Sequence, residues 1–296
     1  MSVKKLFLTV IVLTSFFTPT LAQEPIRHRL LLLDESRSQL LYVDQIEPEK
    51  NWTIKVEGGP AWGLQLIDNN RVLIAIPKLG GYREYDITTH ETKREFFDQK
   101  RYGGTLSAIR LQDGQTVLGC DRNHVRIFVL NKDNKETASW EFPDKKTIRQ
   151  VRLTPRNTLL FGANNEWIYE LTLEGKIVRE CKISGSKHNY QVIELENGNL
   201  LSAAGYGGFL AEIDKENKEV RRIGQPAQDG VLLYFMSQFQ VLKNGNIVVA
   251  TWTGHGANDS EKGQQVVEFD KTGKVIWKWH EPKQAGSIHS VIVLDE

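Results

Sequence analysis

Short apolar segments separated by polar turns follow one another along the chain from about residue 28 onward. One pattern recurs five times: a leucine, a polar turn usually rich in Asn, Asp or Gly, and a second apolar run. The five leucines, spaced by 45, 42, 42 and 47 residues, are Leu66, Leu111, Leu153, Leu195 and Leu242. Asn-Gly and Asp-Gly turns between β-rich runs accept the positive φ of tight hairpins. Each repeat is therefore predicted to contain a β-hairpin.

Two further strands are predicted to complete each repeat. A third apolar segment ends in a large residue and usually Asp, as at Tyr85-Asp86 and Phe269-Asp270. A polar turn then leads to a fourth segment with large side chains, such as residues 275–279. Four strands in 40 to 50 residues is typical of a β-propeller blade, and no segment keeps the apolar spacing of a helix over three turns. The sequence therefore predicts an all-β fold.

The ends of the chain determine the predicted number of blades. Five complete four-strand units cover residues 61–97, 106–142, 148–183, 189–224 and 236–279. Outside these units lie three N-terminal strands and one C-terminal strand, at residues 28–34, 39–45, 52–56 and 287–295. If the last strand joins the first three, the ring closes and no long sheet edge stays exposed. We therefore predict a six-bladed β-propeller with four-stranded blades.

The repeat phrases also resemble those of a known group of propellers. Residues 192–201 (VIELENGNLL), 240–248 (QVLKNGNIV) and 266–279 (VVEFDKTGKVIWKW) are similar to the repeats of PQQ-like and arylsulfotransferase-like propellers. The chain also looks like secreted propellers of gut Bacteroidetes, many of which accompany glycan breakdown. The related quinoprotein dehydrogenases have eight blades and adjacent cysteines, whereas this chain has six units and separated cysteines. We therefore predict no bound pyrroloquinoline quinone and no other cofactor.

The first 22 residues have the pattern of a secretory signal peptide. Lys4 and Lys5 precede an apolar run at residues 6–17, and a small-residue site follows at residues 20–22. The run is shorter than the roughly 20 residues that span a bilayer, so no membrane span is predicted. We therefore expect one propeller domain at residues 23–296, exported to the periplasm or the cell exterior.

Charge and cysteine content restrict the partners further. The chain has 38 Lys and Arg against 37 Asp and Glu, so removal of Lys4 and Lys5 leaves the mature protein close to neutral. A nucleic-acid partner is therefore not predicted, because phosphate binding needs a basic surface. Cys120 and Cys181 each lie among apolar strand residues, which favours two buried free thiols over a disulfide.

The two faces of the predicted ring carry different loops. We call one the hairpin face, because it carries the short turns near residues 69–70, 113–114, 155–156, 197–198 and 244–245. These turns are expected to be purely structural. We call the other the histidine face, because its longer loops carry five of the seven histidines, namely His124, His188, His255, His280 and His289. Loops held by a rigid scaffold are the usual place for functional residues.

A ligand site is predicted at the channel mouth on the histidine face. Aromatic rings suit stacking, and charged or amide groups suit hydroxyls and carboxylates, so a small polar molecule or glycan fragment is the expected ligand. Residues 251–263, which lengthen the sixth unit, add Trp252 as an expected stacking surface. The candidate ligand-binding residues are His124, Arg149, His188, Tyr190, Gln238, Trp252, His255 and His289.

Two functional classes stay open at this point. The first is a non-catalytic propeller that binds the polar ligand or a protein partner. The second is a propeller enzyme acting on sugars, as a lyase, hydrolase or sulfotransferase-like enzyme, with His188, His289 or His255 as base. If these three histidines converge, they could instead bind a divalent metal, but no HxH or HExxH motif is present and no metal ligand is assigned.

Overall fold

The computed structural model describes residues 25–228, 230–256 and 258–294. The predicted signal peptide at residues 1–22 lies outside this part of the chain. The described residues form 24 strands and three helices of one turn each. The helices are α1 (Gln99–Tyr102) and two 3-10 turns, Pro48–Lys50 and Asp259–Lys262. The expectation of a nearly all-β fold is confirmed.

The strands are arranged in six four-stranded antiparallel sheets. The strands of blade 1 that come first in the chain are β1 (Arg29–Asp34), β2 (Gln39–Asp44) and β3 (Trp52–Lys55). Blade 2 has β4 (Trp62–Leu66), β5 (Arg71–Ile76), β6 (Gly81–Asp86) and β7 (Thr92–Phe97). Blade 3 has β8 (Thr105–Arg110), β9 (Thr116–Cys120), β10 (Val125–Leu130) and β11 (Glu136–Phe142).

The second half of the chain repeats this organisation. Blade 4 has β12 (Ile148–Leu153), β13 (Thr158–Ala163), β14 (Trp167–Thr172) and β15 (Ile177–Lys182). Blade 5 has β16 (Val192–Glu194), β17 (Leu200–Ala203), β18 (Leu210–Ile213) and β19 (Glu219–Ile223). Blade 6 has β20 (Met236–Val241), β21 (Ile247–Thr251), β22 (Val266–Phe269) and β23 (Val275–Trp279). The last strand is β24 (Ile288–Val293).

The ring closes in blade 1, where the last strand pairs with the first. β24 lies beside β1 in an antiparallel register that sets Leu32 opposite Val291 and Leu30 opposite Val293. The closing strand was predicted at residues 287–295, of which residue 295 lies outside the described part. The predicted six-bladed ring, closed by the C-terminal strand, is confirmed.

Most turns of the hairpins adopt the positive φ that the sequence pattern predicts. Gly198 has a φ of 81°, and its backbone N–H bonds to the Leu195 carbonyl at 2.8 Å. In blade 4, Asn157 takes the equivalent place with a φ of 60°. Asn is one of the few residues with a side chain that tolerate this conformation. Gly114 and Gly245 also have positive φ, whereas neither Asn69 nor Asn70 in the turn of blade 2 does, so the prediction holds for four of the five turns.

The apolar core lies between neighbouring blades. In β1, Leu30 and Leu32 pack in a cluster with Val248 of blade 6. The alternating residues Leu31 and Leu33 pack in another cluster with side chains of blade 2. Successive side chains of a strand point to opposite faces, so an uninterrupted run of leucines is buried on both sides. Hydrophobic packing between blades therefore holds the ring together.

Glutamine side chains join the inner strands of different blades. Gln65 of blade 2 accepts a hydrogen bond from the Arg110 backbone N–H and donates to its carbonyl, at 2.6 and 3.1 Å. Gln191 of blade 5 makes the same pair of bonds with Phe239 at 2.9 and 3.1 Å. Gln240 does so with Val293 at 2.9 and 3.3 Å. These amides satisfy backbone groups that the inner strands turn toward the channel.

Two further sequence expectations concern the cysteines and the membrane. Cys120 and Cys181 are free and buried, as predicted. Burial raises the pKa of each thiol to about 11, so both stay protonated at neutral pH. Within the described ranges, no helix is long and apolar enough to cross a membrane.

Candidate functional site

Irregularities near the start of the inner strands shape the channel mouth on the histidine face. In five of the six inner strands, the register of pairing with the neighbouring strand shifts by one residue near the start of the inner strand. The shifts fall at Gly63, Leu106, residues 149–150, residues 237–238 and His289. A bulge of this type bends the strand and redirects a side chain. Three predicted site residues, Arg149, Gln238 and His289, lie at these bulges.

A cluster of aromatic rings fills the channel just below the mouth. His289 lies at its centre, with ring centroids 4.3 Å from Trp62, 5.3 Å from Tyr190 and 5.2 Å from Trp252. The Tyr190 hydroxyl lies 3.3 Å from Nδ1 of His289. Phe235 stacks on His289 at 6.1 Å. These contacts close the channel, so the histidine face offers a shallow surface rather than a deep pocket.

Burial determines the charge of the groups in this cluster. Desolvation lowers the pKa of His289 well below its usual range, and nearby Arg149 and His255 act in the same direction. Desolvation also raises the pKa of Tyr190 to about 12. Both rings are therefore neutral at physiological pH. They form an uncharged floor beneath the surface on which a ligand would lie.

Arg149, with His188 beside it, forms the charged side of the mouth. The Arg149 guanidinium lies 3.3 Å from Nδ1 of His188, 3.6 Å from a carboxylate oxygen of Asp121 and 5.6 Å from the Trp62 ring centroid. Partial burial, with Arg149 and Lys187 nearby, lowers the pKa of His188 to about 4. His188 also has a left-handed φ of 64°. A neutral imidazole thus lies beside a fixed cation at the edge of the mouth.

Glu35 joins the long loop of blade 6 to blade 1. Its carboxylate accepts a hydrogen bond from the Trp252 indole N–H at 3.2 Å and lies 3.0 Å from Nδ1 of His255. The rings of Trp252 and His255 are 4.7 Å apart. Glu35 is buried, whereas His255 is exposed. No sequence signal points to Glu35, because it follows the first strand in a turn of ordinary composition.

Two exposed tyrosines cover this cluster. Tyr206 and Tyr234 are 41% and 44% exposed, and their rings meet edge to face at 5.8 Å. Beneath them lies Trp252, at 6.1 and 6.5 Å. The Lys187 ammonium lies 5.5 Å from the Tyr206 ring centroid, and the His188 ring lies 5.9 Å from it. We call Tyr206 and Tyr234 the tyrosine platform.

The structure brings together six of the eight predicted ligand-binding residues. Arg149, His188, Tyr190, Trp252, His255 and His289 form one continuous set of contacts through shared neighbours. His124 lies apart, 3.1 Å from Glu141 in blade 3. Gln238 lies deeper, with its amide bonded to the Leu64 backbone, the Val291 carbonyl and Gln150.

One detail of the sequence prediction requires correction. Trp252 was expected to present a stacking surface to the ligand, but it is only 4% exposed and belongs to a core cluster. Its indole is held by Glu35, a residue 217 positions away. The exposed rings at the same place are Tyr206 and Tyr234, which are not among the predicted ligand-binding residues. Direct stacking on a ligand therefore falls to the tyrosine platform.

The three histidines named as possible bases do not converge on one point. His188 faces Arg149, His289 faces Tyr190, and His255 faces Glu35. Among the residues whose placement is described, no three His, Cys, Asp or Glu side chains are grouped so as to hold a metal ion. The arrangement can bind a ligand by stacking and charge, and each histidine has a different polar partner.

Comparisons with known proteins show the fold. No protein-family model matches the chain, and no curated protein matches it in sequence. A solved protein of unknown function from Bacteroides caccae is similar, with a TM-score of 0.74 at 21% identity over 90% of this chain and 98% of that one. The WD40 β-propeller domain of Doa1 gives a TM-score of 0.59 at 15% identity, covering 75% of this chain and 71% of that one.

A lyase is among the similar structures. A catalytically inactive variant of virginiamycin B lyase from Staphylococcus aureus, solved with quinupristin, gives a TM-score of 0.60 at 14% identity. The similarity covers 83% of this chain and 78% of the lyase. Identities this low establish the β-propeller architecture alone. The finer PQQ-like or arylsulfotransferase-like type is not confirmed by these comparisons.

Proposed function

We propose that the protein binds a small polar ligand, a glycan fragment with an acidic group, on the histidine face. The observation that carries this proposal is the tyrosine platform, in which the exposed Tyr206 ring lies 5.9 Å from His188, itself 3.3 Å from the Arg149 guanidinium. Exposed tyrosine rings suit the apolar face of a sugar ring. The Arg149 guanidinium lies 3.6 Å from Asp121, beyond direct hydrogen-bond distance, and its remaining N–H groups suit a carboxylate or sulfate.

The shallow shape of the surface favours binding at the end of a chain over enclosure of a whole molecule. The aromatic cluster around His289 fills the channel below, so a ligand lies on Tyr206 and Tyr234 and reaches Arg149 with its charged group. A protein partner that presents an acidic residue beside an aromatic or sugar group would use the same contacts. The glycan is the smaller ligand that satisfies both parts of the site.

A panel of neutral and acidic oligosaccharides tests this proposal. The wild type should retain acidic members of the panel, and Tyr206→Ala combined with Tyr234→Ala should weaken binding by about three- to tenfold or more, since one stacking contact contributes about 0.5–1.5 kcal/mol. Asn244→Ser, on the hairpin face, is the control and should bind as the wild type does. Equal binding by the platform variant and the control would contradict the proposal.

An enzyme acting on sugars is the second candidate. It is favoured by His188, a neutral imidazole with a left-handed φ beside the cation of Arg149, since strained residues often belong to active sites. A lyase is also among the solved structures similar in fold. A base whose pKa is about 4 is weak at neutral pH, however, which makes binding the better-supported function. Turnover of a panel oligosaccharide by the wild type but not by His188→Ala would establish the enzyme instead.

The place of action is proposed from the N-terminal sequence. Residues 1–22 combine a basic start, an apolar run and a small-residue site, which supports export to the periplasm or the cell exterior. Sequencing the N-terminus of the protein from a bacterial host tests this expectation. A mature chain beginning near Gln23 supports export, and a cytoplasmic protein that keeps its first residues contradicts it.

A further inference from the structure

The opposite end of the channel contains a cavity that the sequence did not predict. It has a volume of about 420 Å³ and opens on the hairpin face, where the inner strands end. The cavity is separated from the aromatic cluster around His289 by the side chains of Gln150, Tyr190 and Gln238. The hairpin face was expected to be purely structural. The cavity therefore provides a second site, separate from the tyrosine platform.

Arg152 is the cationic group that distinguishes this cavity. Its guanidinium donates to the Val151 carbonyl at 2.9 Å and to the side-chain oxygen of Gln150. Among the described residues, no carboxylate lies within ion-pair distance of it. Desolvation lowers the pKa of Arg152 to about 10, so the group stays charged at neutral pH. A guanidinium held in the channel without an anion has its charge uncompensated.

The other charged residue of the cavity wall is already neutralised. Arg110 contacts the buried carboxylate of Glu84, and its guanidinium carbon lies 5.3 Å from the Tyr82 ring centroid. Among the residues that the structure describes, no Asp or Glu lines the cavity. The site therefore has one net positive charge, which calls for a ligand with a single negative charge.

The rest of the wall is largely apolar. Seven lining residues are aliphatic or aromatic, among them the partly exposed Leu66, Leu153 and Ile292 from three different blades. Three lining glutamines, Gln65, Gln191 and Gln240, have both ends of their amides bonded to neighbouring strands. Each amide therefore already uses one donor and one acceptor on a neighbouring strand, which leaves fewer groups for a polyhydroxylated ligand. The wall suits a hydrocarbon body better than a sugar.

We infer that the cavity at the hairpin face binds a small carboxylic acid with an apolar body, whose carboxylate pairs with Arg152. The planar guanidinium offers two parallel N–H donors to such a group. The apolar body lies against the aliphatic side chains that ring the opening. This site is independent of the proposed glycan site, since it lies at the other end of the channel.

Calorimetric titration of the mature chain with hexanoate tests the inference. Hexanoate should bind saturably, and hexanamide, which has the same body without the charge, should bind about 10- to 100-fold more weakly. Arg152→Met and Arg152→Gln should weaken hexanoate binding by a similar factor. Arg156→Gln is the matched control, because Arg156 lies on the same face but pairs with Glu170 and Glu194.

The ligand-free variants give a second measurement. Loss of an uncompensated charge should leave the melting temperature of Arg152→Met equal to that of the wild type or higher, which also shows that the variant folds. Three results would overturn the inference: hexanoate fails to saturate the wild type, Arg152→Met and Arg152→Gln bind it as tightly as the wild type, or hexanamide binds equally well. Binding of inorganic phosphate with higher affinity than hexanoate would also contradict it.

Discussion

Gln238 is expected to be among the most sensitive polar positions of the ring. Its side-chain oxygen accepts from the Leu64 backbone N–H at 3.2 Å and from the Gln150 amide at 3.0 Å. Its amide nitrogen donates to the carbonyls of Leu64 and Val291 at 2.9 and 3.3 Å. One side chain thus joins the inner strands of blades 1, 2 and 4 to its own blade 6. Gln238→Ala removes all four bonds at once.

The expected loss of stability follows from the groups left without partners. A buried polar group without a partner costs about 1–3 kcal/mol, and water entering from the adjacent cavity recovers part of this cost. We therefore expect Gln238→Ala to lower the free energy of unfolding by about 2–4 kcal/mol. For a chain of this length, that loss corresponds to a decrease of roughly 5–15 °C in melting temperature.

Urea denaturation followed by far-UV circular dichroism measures this effect. Gln112→Ala is the matched control, because Gln112 is an exposed glutamine that lines the same cavity. Its free energy of unfolding should stay within about 0.5 kcal/mol of the wild-type value. If Gln238→Ala and Gln112→Ala unfold at the same urea concentration with the same slope, the argument that glutamine amides join the blades is refuted.

Four further results are expected. Trp252→Ala should destabilise the fold by about 3–5 kcal/mol in the same urea assay, because it leaves a cavity at a buried position. An unchanged midpoint would show that Trp252 does not contribute to the core. Deletion of residues 287–296 should unfold or aggregate the protein, and unchanged melting would contradict ring closure. Because burial holds the pKa of His188 at about 4, the unfolded chain binds more protons below pH 6.5, so stability falls from pH 6.5 toward 4. His188→Gln should make urea midpoints less dependent on pH in that range, and an unaltered dependence would exclude His188 as a cause. Titration with pyrroloquinoline quinone should give no stoichiometric change in its absorption spectrum.

The blade architecture was predictable because its determinants are local. Asn197-Gly198 and the other hairpin turns lie a few residues from the strands they join, so the four-strand repeat can be recognised directly in the sequence. Closure of the ring was predictable for a different reason. Five complete units left three strands at one end and one at the other, and only joining β24 to β1 gives every strand a partner.

The details of the candidate site depend on contacts between residues distant in the sequence. Trp252 is buried because it meets Glu35 across the closing blade, 217 positions away. The side-chain amide of Gln238 is already hydrogen-bonded because it contacts the backbone of Leu64, 174 positions away. An isolated segment gives no information on such partners, so a large polar or aromatic residue in a loop cannot be assigned to the surface or to the core. The sequence placed most of the candidate histidines on the face of the ring where the structure has them. It predicted that Trp252 is exposed, whereas the exposed rings are Tyr206 and Tyr234.

The unpaired cation at the hairpin face was missed for a related reason. Arg152 and Arg156 lie in one strand and its turn, and both are arginines near a hairpin. Arg156 meets Glu170 and Glu194, whereas Arg152 points into the channel, where no carboxylate lies within ion-pair distance among the described residues. Arg152 lies within the inner strand β12, whereas Arg156 lies in the turn after it, within reach of Glu170 and Glu194.

A crystal structure of the protein with an acidic oligosaccharide selected from the panel tests the proposed function most directly. The account predicts electron density for a sugar ring against Tyr206 and Tyr234, with the acidic group within hydrogen-bond distance of the Arg149 guanidinium. Density for the oligosaccharide in the cavity beside Arg152, or on the outer strands with the tyrosine platform empty, would contradict it.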